Sequence, residues 1–177
     1  GLVGFTACDS FLDEEPKSSL TLDTYYKTSA DIIGNVNHLY RDGAPDKMGN
    51  MTGPYRGSSL SVMNMVTGYF VDEYEGQEVD CSYARQLTRQ DFTQSCCNYL
   101  TNDTWKSCYK SINVANAVIK YVDGVEMDNQ AQYKAEARFF RALNYFYLVK
   151  MFGDVPMVTE PTEDATLVEY PTRTAAS

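Results

Sequence analysis

Apolar residues recur at helical spacing in three stretches of the 177-residue chain. From Leu20 to about Arg41, Ile32, Ile33, Val36, Leu39 and Tyr40 follow the i, i+1, i+4, i+7, i+8 rhythm of one buried face. Ser29 and Asp31 mark a start or restart inside that stretch, and Asp42-Gly43-Ala44-Pro45 ends it. In the second stretch Asn102 or Asp103 can cap a helix running to about Val122, with Trp105, Cys108, Tyr109, Ile112, Ala115, Asn116, Ile119 and Val122 on its stripe. In the third, Asp128 can cap a longer helix through Phe152. There Ala131, Ala135, Phe139, Ala142, Phe146 and Val149 mark one face, and Phe140, Leu143 and Tyr147 another. A helix apolar on two faces is expected to be buried between neighbours. Gly153 is placed to end it and Pro156 to keep it from resuming.

The last two helices, joined by a short connection, predict an αα-hairpin. Trp105-x-x-x-Tyr109 and Ala135-x-x-x-Phe139 are similar to a tetratricopeptide hairpin, in which small residues admit large ones from the facing helix. The Leu-Gly pair that follows the Trp in that repeat reads Cys108-Tyr109 here. One hairpin leaves an outer apolar face that needs a following repeat. The pattern therefore predicts a chain cut short at Ser177, with an exposed face on the 131–152 helix and poor solubility as its consequence.

Between the periodic stretches the signal is different. Residues 43–57 hold four glycines and two prolines and read as a loop; no Lys-Ser/Thr follows the glycines, so it is not a phosphate-binding loop. A weaker helix is expected over Ser59–Thr67. Residues 68–100 lose periodicity and interleave acidic with aromatic residues, and an irregular stretch of that length usually carries function. After Pro156 the chain reads as extended and polar.

Composition narrows the chemistry. Fifteen basic residues against 24 acidic give a net charge of −9, which repels nucleic acid, and no basic cluster offsets it. A single histidine, His38, removes most His-based metal sites and any two-histidine mechanism. None of the five cysteines forms a C-x-x-C, so no zinc or redox motif is present. Cys108 falls on a helical core face, and Cys81 is left open to pairing with Cys96 or Cys97. The acidic run Asp72, Glu73, Glu75, Glu78, Asp80 lacks the residue order of a calcium loop. It also lacks the rigid scaffold that would fix a glycosidase carboxylate pair. No catalytic residue, metal or cofactor is expected.

Fourteen tyrosines against one tryptophan are the unusual feature of the composition. Sugar recognition needs flat apolar faces for pyranose C–H groups and planar polar groups for hydroxyls. Tyr69, Tyr74 and Tyr83 with Arg56, Gln77 and Arg85 supply both kinds and are the candidate ligand-binding residues. The plainer alternative is that the loop aromatics pack beneath the loop and its polar residues are solvated. Trp105, by its place on the helical stripe, is expected in the core; Asn116 is expected to bond backbone, and Glu136 and Arg141 to form structural polar links.

At the N-terminus, Phe5-Thr6-Ala7-Cys8 fits a bacterial lipobox, with Phe5 where leucine is usual. Residues 1–8 then read as the remnant of a lipoprotein signal ending at a lipidated Cys8, residues 9–19 as an acidic tether, and residues 20–177 as the helical domain. The alternative is a buried cysteine in a short N-terminal segment. No apolar run of the roughly 18 residues needed to span a bilayer occurs, so membrane attachment is expected through the lipid only.

Together these segments resemble the N-terminal part of SusD/RagB-type outer-membrane lipoproteins of Bacteroidota. The resemblance is carried by Cys8 followed by Phe11-Leu12-Asp13 and Pro16, by Leu20-Thr21 leading into Tyr25-Tyr26, and by Trp105-x-x-x-Tyr109-x-x-Ile112-x-x-Ala115-Asn116. Its most specific part is Glu136-Ala137-Arg138-Phe139-Phe140-Arg141-Ala142-Leu143-x-Tyr145-Phe146-x-Leu148, ending Phe152-Gly153-Asp154-Val155-Pro156. The resemblance implies an all-α fold of tetratricopeptide-like hairpins with long irregular loops. It implies a non-enzymatic, surface-exposed outer-membrane lipoprotein that binds oligosaccharides and passes them to a SusC-like TonB-dependent porin. It implies that Thr172-Arg173-Thr174 approaches a further helix, and that an arginine, an aromatic and an amide near Arg56, Tyr74 and Gln77 meet the sugar. No tryptophan occupies that loop, which leaves the glycan unnamed. Two alternatives remain: a scaffold subunit of an outer-membrane complex without glycan binding, and a peptide-binding RagB-like member.

Overall fold

The turn between two long helices organises everything else. The computed structural model describes residues 21–42, 89–90, 95–163 and 171–175. Helix α1 is one short turn, Leu22–Tyr25; α2 spans Ser29–Asp42; α3 spans Ser95–Tyr121; α4 spans Gln130–Phe152. Two-residue strands β1 (Val155–Pro156) and β2 (Arg173–Thr174) pair antiparallel, with Val155 opposite Thr174. Among the described residues the architecture is the expected all-α one, with helical hairpin geometry and a minimal strand pair.

The restart at Ser29 has a chemical cause. The Asp31 carboxylate accepts from the Thr28 amide at 2.8 Å and the Thr28 hydroxyl at 2.7 Å, closing a reciprocal cap over the first turn of α2. The stretch expected from Leu20 is thus two helices, broken at 26–28, because that cap takes the Thr28 amide while the Thr28 carbonyl accepts the first bonds of α2. The second helix begins at Ser95, ahead of the expected Asn102 or Asp103, so residues 95–100 are helical where an irregular stretch was expected. The helix runs on through Asn102 and Asp103, so neither caps it.

The hairpin closes through a 3-10 turn at Val122–Gly124 and a plug of apolar contact. Val125 is buried beneath it, and the Gln130 side-chain amide donates back to the carbonyls of Val122, at 3.2 Å, and Val125. The Val122 carbonyl also accepts the Val125 amide at 3.2 Å, so Gln130 ties the first turn of α4 to the turn that leaves α3. Asn129, rather than Asp128, is the residue before α4, in a left-handed conformation (φ 60°) that asparagine tolerates. Gly153 takes φ 70° and its amide bonds the Val149 carbonyl at 2.9 Å, which ends α4 at the expected residue.

Two apolar clusters hold the elements together. Ile32, Val36 and Leu39 of α2 pack with Ala115 and Val118 of α3, Val122 of the turn, and Ala137 and Phe140 of α4. Tyr26 joins them, stacked on Tyr121 with ring centroids 5.3 Å apart and planes 4° apart. The second cluster, nearer the open end of the hairpin, gathers Cys108, Ile112, Tyr145, Leu148 and Val155, with Trp105, Tyr109 and Phe152 against it. Cys108 is therefore a core residue, as its stripe predicts, and Trp105 packs half-buried against the cluster.

Helix α4 departs from one expectation. It buries Ala137, Phe140, Asn144, Tyr145 and Leu148, but Phe139 is 60% and Phe146 58% exposed. Its two apolar faces are not both covered: α2 and α3 pack on one, and no described element packs on the other. The exposed outer face read from the hairpin pattern is the reading that holds. Among the described residues no helix is long and apolar enough to cross a membrane.

Candidate functional site

The candidate ligand residues Arg56, Tyr69, Tyr74, Gln77, Tyr83 and Arg85 lie outside the described residues, as do Cys8, Cys81, the expected 59–67 helix and the acidic run. What the structure does show is the frame on which the chain beyond the hairpin is hung, and one open cleft.

The frame is a row of polar side chains rising from α3 and α4 to hold residues 156–163. Asn116, 1% exposed, donates from its amide to the carbonyls of Val158 (3.1 Å) and Glu160 (3.2 Å). Its Oδ1 accepts from Arg141 at 2.9 Å, so both ends of the buried amide are used. Arg141 also reaches the Thr159 carbonyl at 3.4 Å. The Tyr145 hydroxyl donates to the Val158 carbonyl at 2.8 Å and accepts from the Val158 amide at 2.6 Å. The Tyr109 hydroxyl donates to the Pro156 carbonyl at 2.7 Å, and Asn113 Oδ1 accepts from the Thr162 amide at 2.8 Å. Lys120 pairs with Glu163, which raises the lysine pKa and lowers the carboxyl through the hydrogen bond between them.

This frame turns an extended segment into a fixed one without a sheet: the segment's backbone groups bond side chains instead. Burial raises the Tyr109 and Tyr145 phenols above their ordinary values, so both stay neutral and able to donate. The stretch between α4 and this segment is held by Arg173, whose guanidinium donates to the carbonyls of Asp154 (2.8 Å) and Phe152 (3.4 Å) and lies 5.9 Å from the Trp105 ring centroid. Asn116 and Arg141 thus have the structural roles expected of them. Glu136 does the same: it hydrogen-bonds the Tyr40 hydroxyl of α2, and it also accepts from Gln132 on its own helix at 2.8 Å. Sequence reasoning gave Gln130 no role and named Tyr145 and Arg173 only within motifs; the backbone groups that all three hold lie beyond the reach of a periodicity.

The cleft, of about 430 Å³, opens between the start of α2 and the loop before α4. Ser29, Ile33, Met127, Asp128, Asn129 and Tyr133 line it, with Glu126. It is open and offers acceptors and one ring. Among the described residues no group of three metal-ligating side chains occurs. His38 lies half-buried on the flank of α2.

Comparison with known proteins gives the frame its context. A SusD-like family model described as "Starch-binding associating with outer membrane" matches residues 10–175. The chain is 28% identical over 171 residues to SusD-like protein P25 of Formosa agariphila, covering 88% of this chain and 29% of that protein. It is 25% identical to SusD-like protein P2 of the same organism, over 98% of this chain and 32% of the relative. A SusD-like protein of Bacteroides ovatus is 26% identical over 96% of this chain and 28% of its own length. The chain therefore spans about a third of the length of these curated relatives. No solved structure matches. With the family match running across α1–α4 and both strands, the chain belongs to the SusD-like family.

Proposed function

We propose that this chain is the N-terminal helical part of a surface-exposed outer-membrane lipoprotein that binds oligosaccharides and delivers them to a SusC-like TonB-dependent porin. The observation that carries the reading is the family match over residues 10–175, which takes in the whole hairpin and the segment hung from it. In this reading Cys8 carries the lipid, residues 9–19 are the tether, and the protein binds without turning its ligand over. The hairpin and its polar frame are scaffold. Arg56, Tyr69, Tyr74, Gln77, Tyr83 and Arg85 supply the ring faces and planar polar groups that meet sugar. The fixed course of residues 156–163 supports the reading, because a binding loop needs a rigid base from which to be presented.

The test is calorimetric titration of a panel of soluble oligosaccharides, with a peptide control, into the full-length polypeptide. One glycan class that saturates, with binding lost in Tyr74→Ala and Arg56→Ala, is the expected result. Saturation by peptide alone would move the protein to a peptide receptor. Silence across the panel from folded protein would leave only a scaffold role in the transporter complex.

A further inference from the structure

The cleft of about 430 Å³ between the start of α2 and the loop before α4 takes no part in the polar frame. Its volume lies within the range of about 300–1,000 Å³ typical of small-ligand sites. Two kinds of side chain line it. Ile33, Met127 and Tyr133, each half-buried, supply apolar surface and one ring. Glu126, Asp128 and Asn129, each exposed, supply planar polar groups, and Ser29 adds a hydroxyl.

The fold does not use those polar groups. Asn129 stands directly before α4, where an asparagine ordinarily caps the first turn, yet its side chain makes no cap bond. Among the described residues no hydrogen bond or ion pair reaches the side chains of Glu126 or Asp128, and Lys134, next to Tyr133 in sequence, is paired with Asp123. The walls, by contrast, are fixed. Gln130 ties the start of α4 to the carbonyls of Val122 and Val125, and Thr28 with Asp31 locks the start of α2. Rigid walls lower the ordering cost that a ligand has to offset.

The mixture of groups selects the ligand. Two unpaired carboxylates on one cleft repel an anion. Carboxylates only accept hydrogen bonds, whereas the Asn129 amide and the Ser29 hydroxyl both donate and accept. A ligand that meets all of them needs polar groups that do both, which is the property of a hydroxyl, and C–H faces for Tyr133, Ile33 and Met127. A pyranose ring combines the two. We propose that this cleft binds a neutral pyranose, at a site that uses none of the loop candidates from Arg56 to Arg85. Tyr133 takes the C–H face, Glu126 and Asp128 accept from hydroxyls, and Asn129 bonds them in both directions. The inference rests on the proposed function for its ligand class and gives the turn of the hairpin a sugar contact of its own.

Saturation-transfer difference NMR of methyl hexopyranosides with the full-length polypeptide tests it, in an Arg56→Ala/Tyr74→Ala background that removes the loop contribution. The expected result is a saturable ring-proton signal, with a dissociation constant on the order of 1 mM for so open a cleft. Asn129→Gly keeps the left-handed backbone and removes the amide, and should weaken binding about three- to tenfold. Glu126→Ala with Asp128→Ala should weaken it about tenfold or more. Tyr133→Ala should abolish the signal and Tyr133→Phe should keep it. A methyl hexopyranosiduronate, which adds a carboxylate, should bind about tenfold more weakly than the neutral glycoside. A signal that none of these variants changes, each shown folded by its melting temperature, would overturn the site whether or not the loop binds glycan. Saturation in the parent with none in the loop-silenced background would do the same and leave the proposed function standing. Silence in both would remove the glycan reading and this site with it. Methylguanidinium that displaces the glycoside and binds more tightly would reassign the cleft to a cationic group and overturn the sugar.

Discussion

Asn116 and Arg141 meet across the hairpin, Nη1 to Oδ1 at 2.9 Å, and the same asparagine holds the carbonyls of Val158 and Glu160. One buried amide thereby ties α3, α4 and the segment after them into a single unit. Removing it should cost more than one ordinary hydrogen bond, because two carbonyls and a guanidinium lose their partner together. Asn116→Ala is expected to destabilise by about 2–3 kcal/mol, and Arg141→Ala by about 1–2 kcal/mol. The double variant should fall short of their sum, since the two share one network. Denaturant titration of the four proteins measures the coupling; strict additivity would mean that the pair does not act as a unit.

Alkaline pH should loosen the core through two buried groups. Burial pushes the Cys108 thiol from 9.0 to about 12, and burial followed by the charge of Tyr25 pushes Tyr26 from 10.0 to about 12. Each holds its proton more tightly folded than unfolded. The folded state therefore binds more protons between about pH 9 and 12, and stability, complete below that window, falls as pH rises through it. The loss for the two groups together is on the order of a few kcal/mol. Melting temperatures taken from pH 8 to 11 should decline, and Cys108→Ala should flatten part of the decline; a profile unchanged by that substitution would contradict the assignment.

Arg173 and Trp105 offer a spectroscopic reading of the strand pair. The guanidinium lies over the only tryptophan of the chain and bonds two carbonyls at the end of α4. Arg173→Ala should shift Trp105 emission to the red as water reaches the ring, and speed amide exchange at Val155 and Thr174. Arg173→Lys keeps the charge but not the fork, so it should restore only part of either signal. Unchanged emission in both variants would mean that the cation does not shield the ring.

The helices were legible because their signals are local. The Ile32–Val36–Leu39 face, the Trp105–Val122 stripe and the Gly153 stop each sit within a few turns of sequence, and the structure places helix faces and a helix end there; Tyr40, placed on the first face by its spacing, is instead 50% exposed at its edge. The beginning of α3 at Ser95 was not legible, since Asn102 and Asp103 are good capping residues and only packing decides whether they cap. The polar frame was legible in half. Asn116 and Arg141 stood out as polar residues on apolar stripes, but the carbonyls they hold lie up to 44 residues away from Asn116, beyond any periodicity. For the sugar-binding candidates, composition supplied residue types, and the geometry of Arg56 through Arg85 lies outside the described residues.

Phe139 and Phe140 are neighbours in sequence and opposites in environment, and their contrast measures how α4 is used. Periodicity places each on an apolar face without saying which face has a partner. The structure decides: Phe140 is 2% exposed among Ile32, Val36, Leu39 and Ala137, while Phe139 is 60% exposed, with its ring centroid 5.5 Å from that of Phe140. Phe140→Ala should open a cavity in the joint between α2 and the hairpin, at a cost of about 3–5 kcal/mol. Tyr40, whose ring meets Phe140 edge-on at 4.8 Å, would lose its support in the same step. In the 177-residue chain Phe139→Ala should cost at most about 0.5 kcal/mol, because a side chain left in water loses little on removal. Denaturation midpoints of the two variants against the parent decide it. Equal costs in this chain would mean that the outer face is already covered, by a second copy or by residues 43–88, and the separation of α4 into a packed face and a free one would fall.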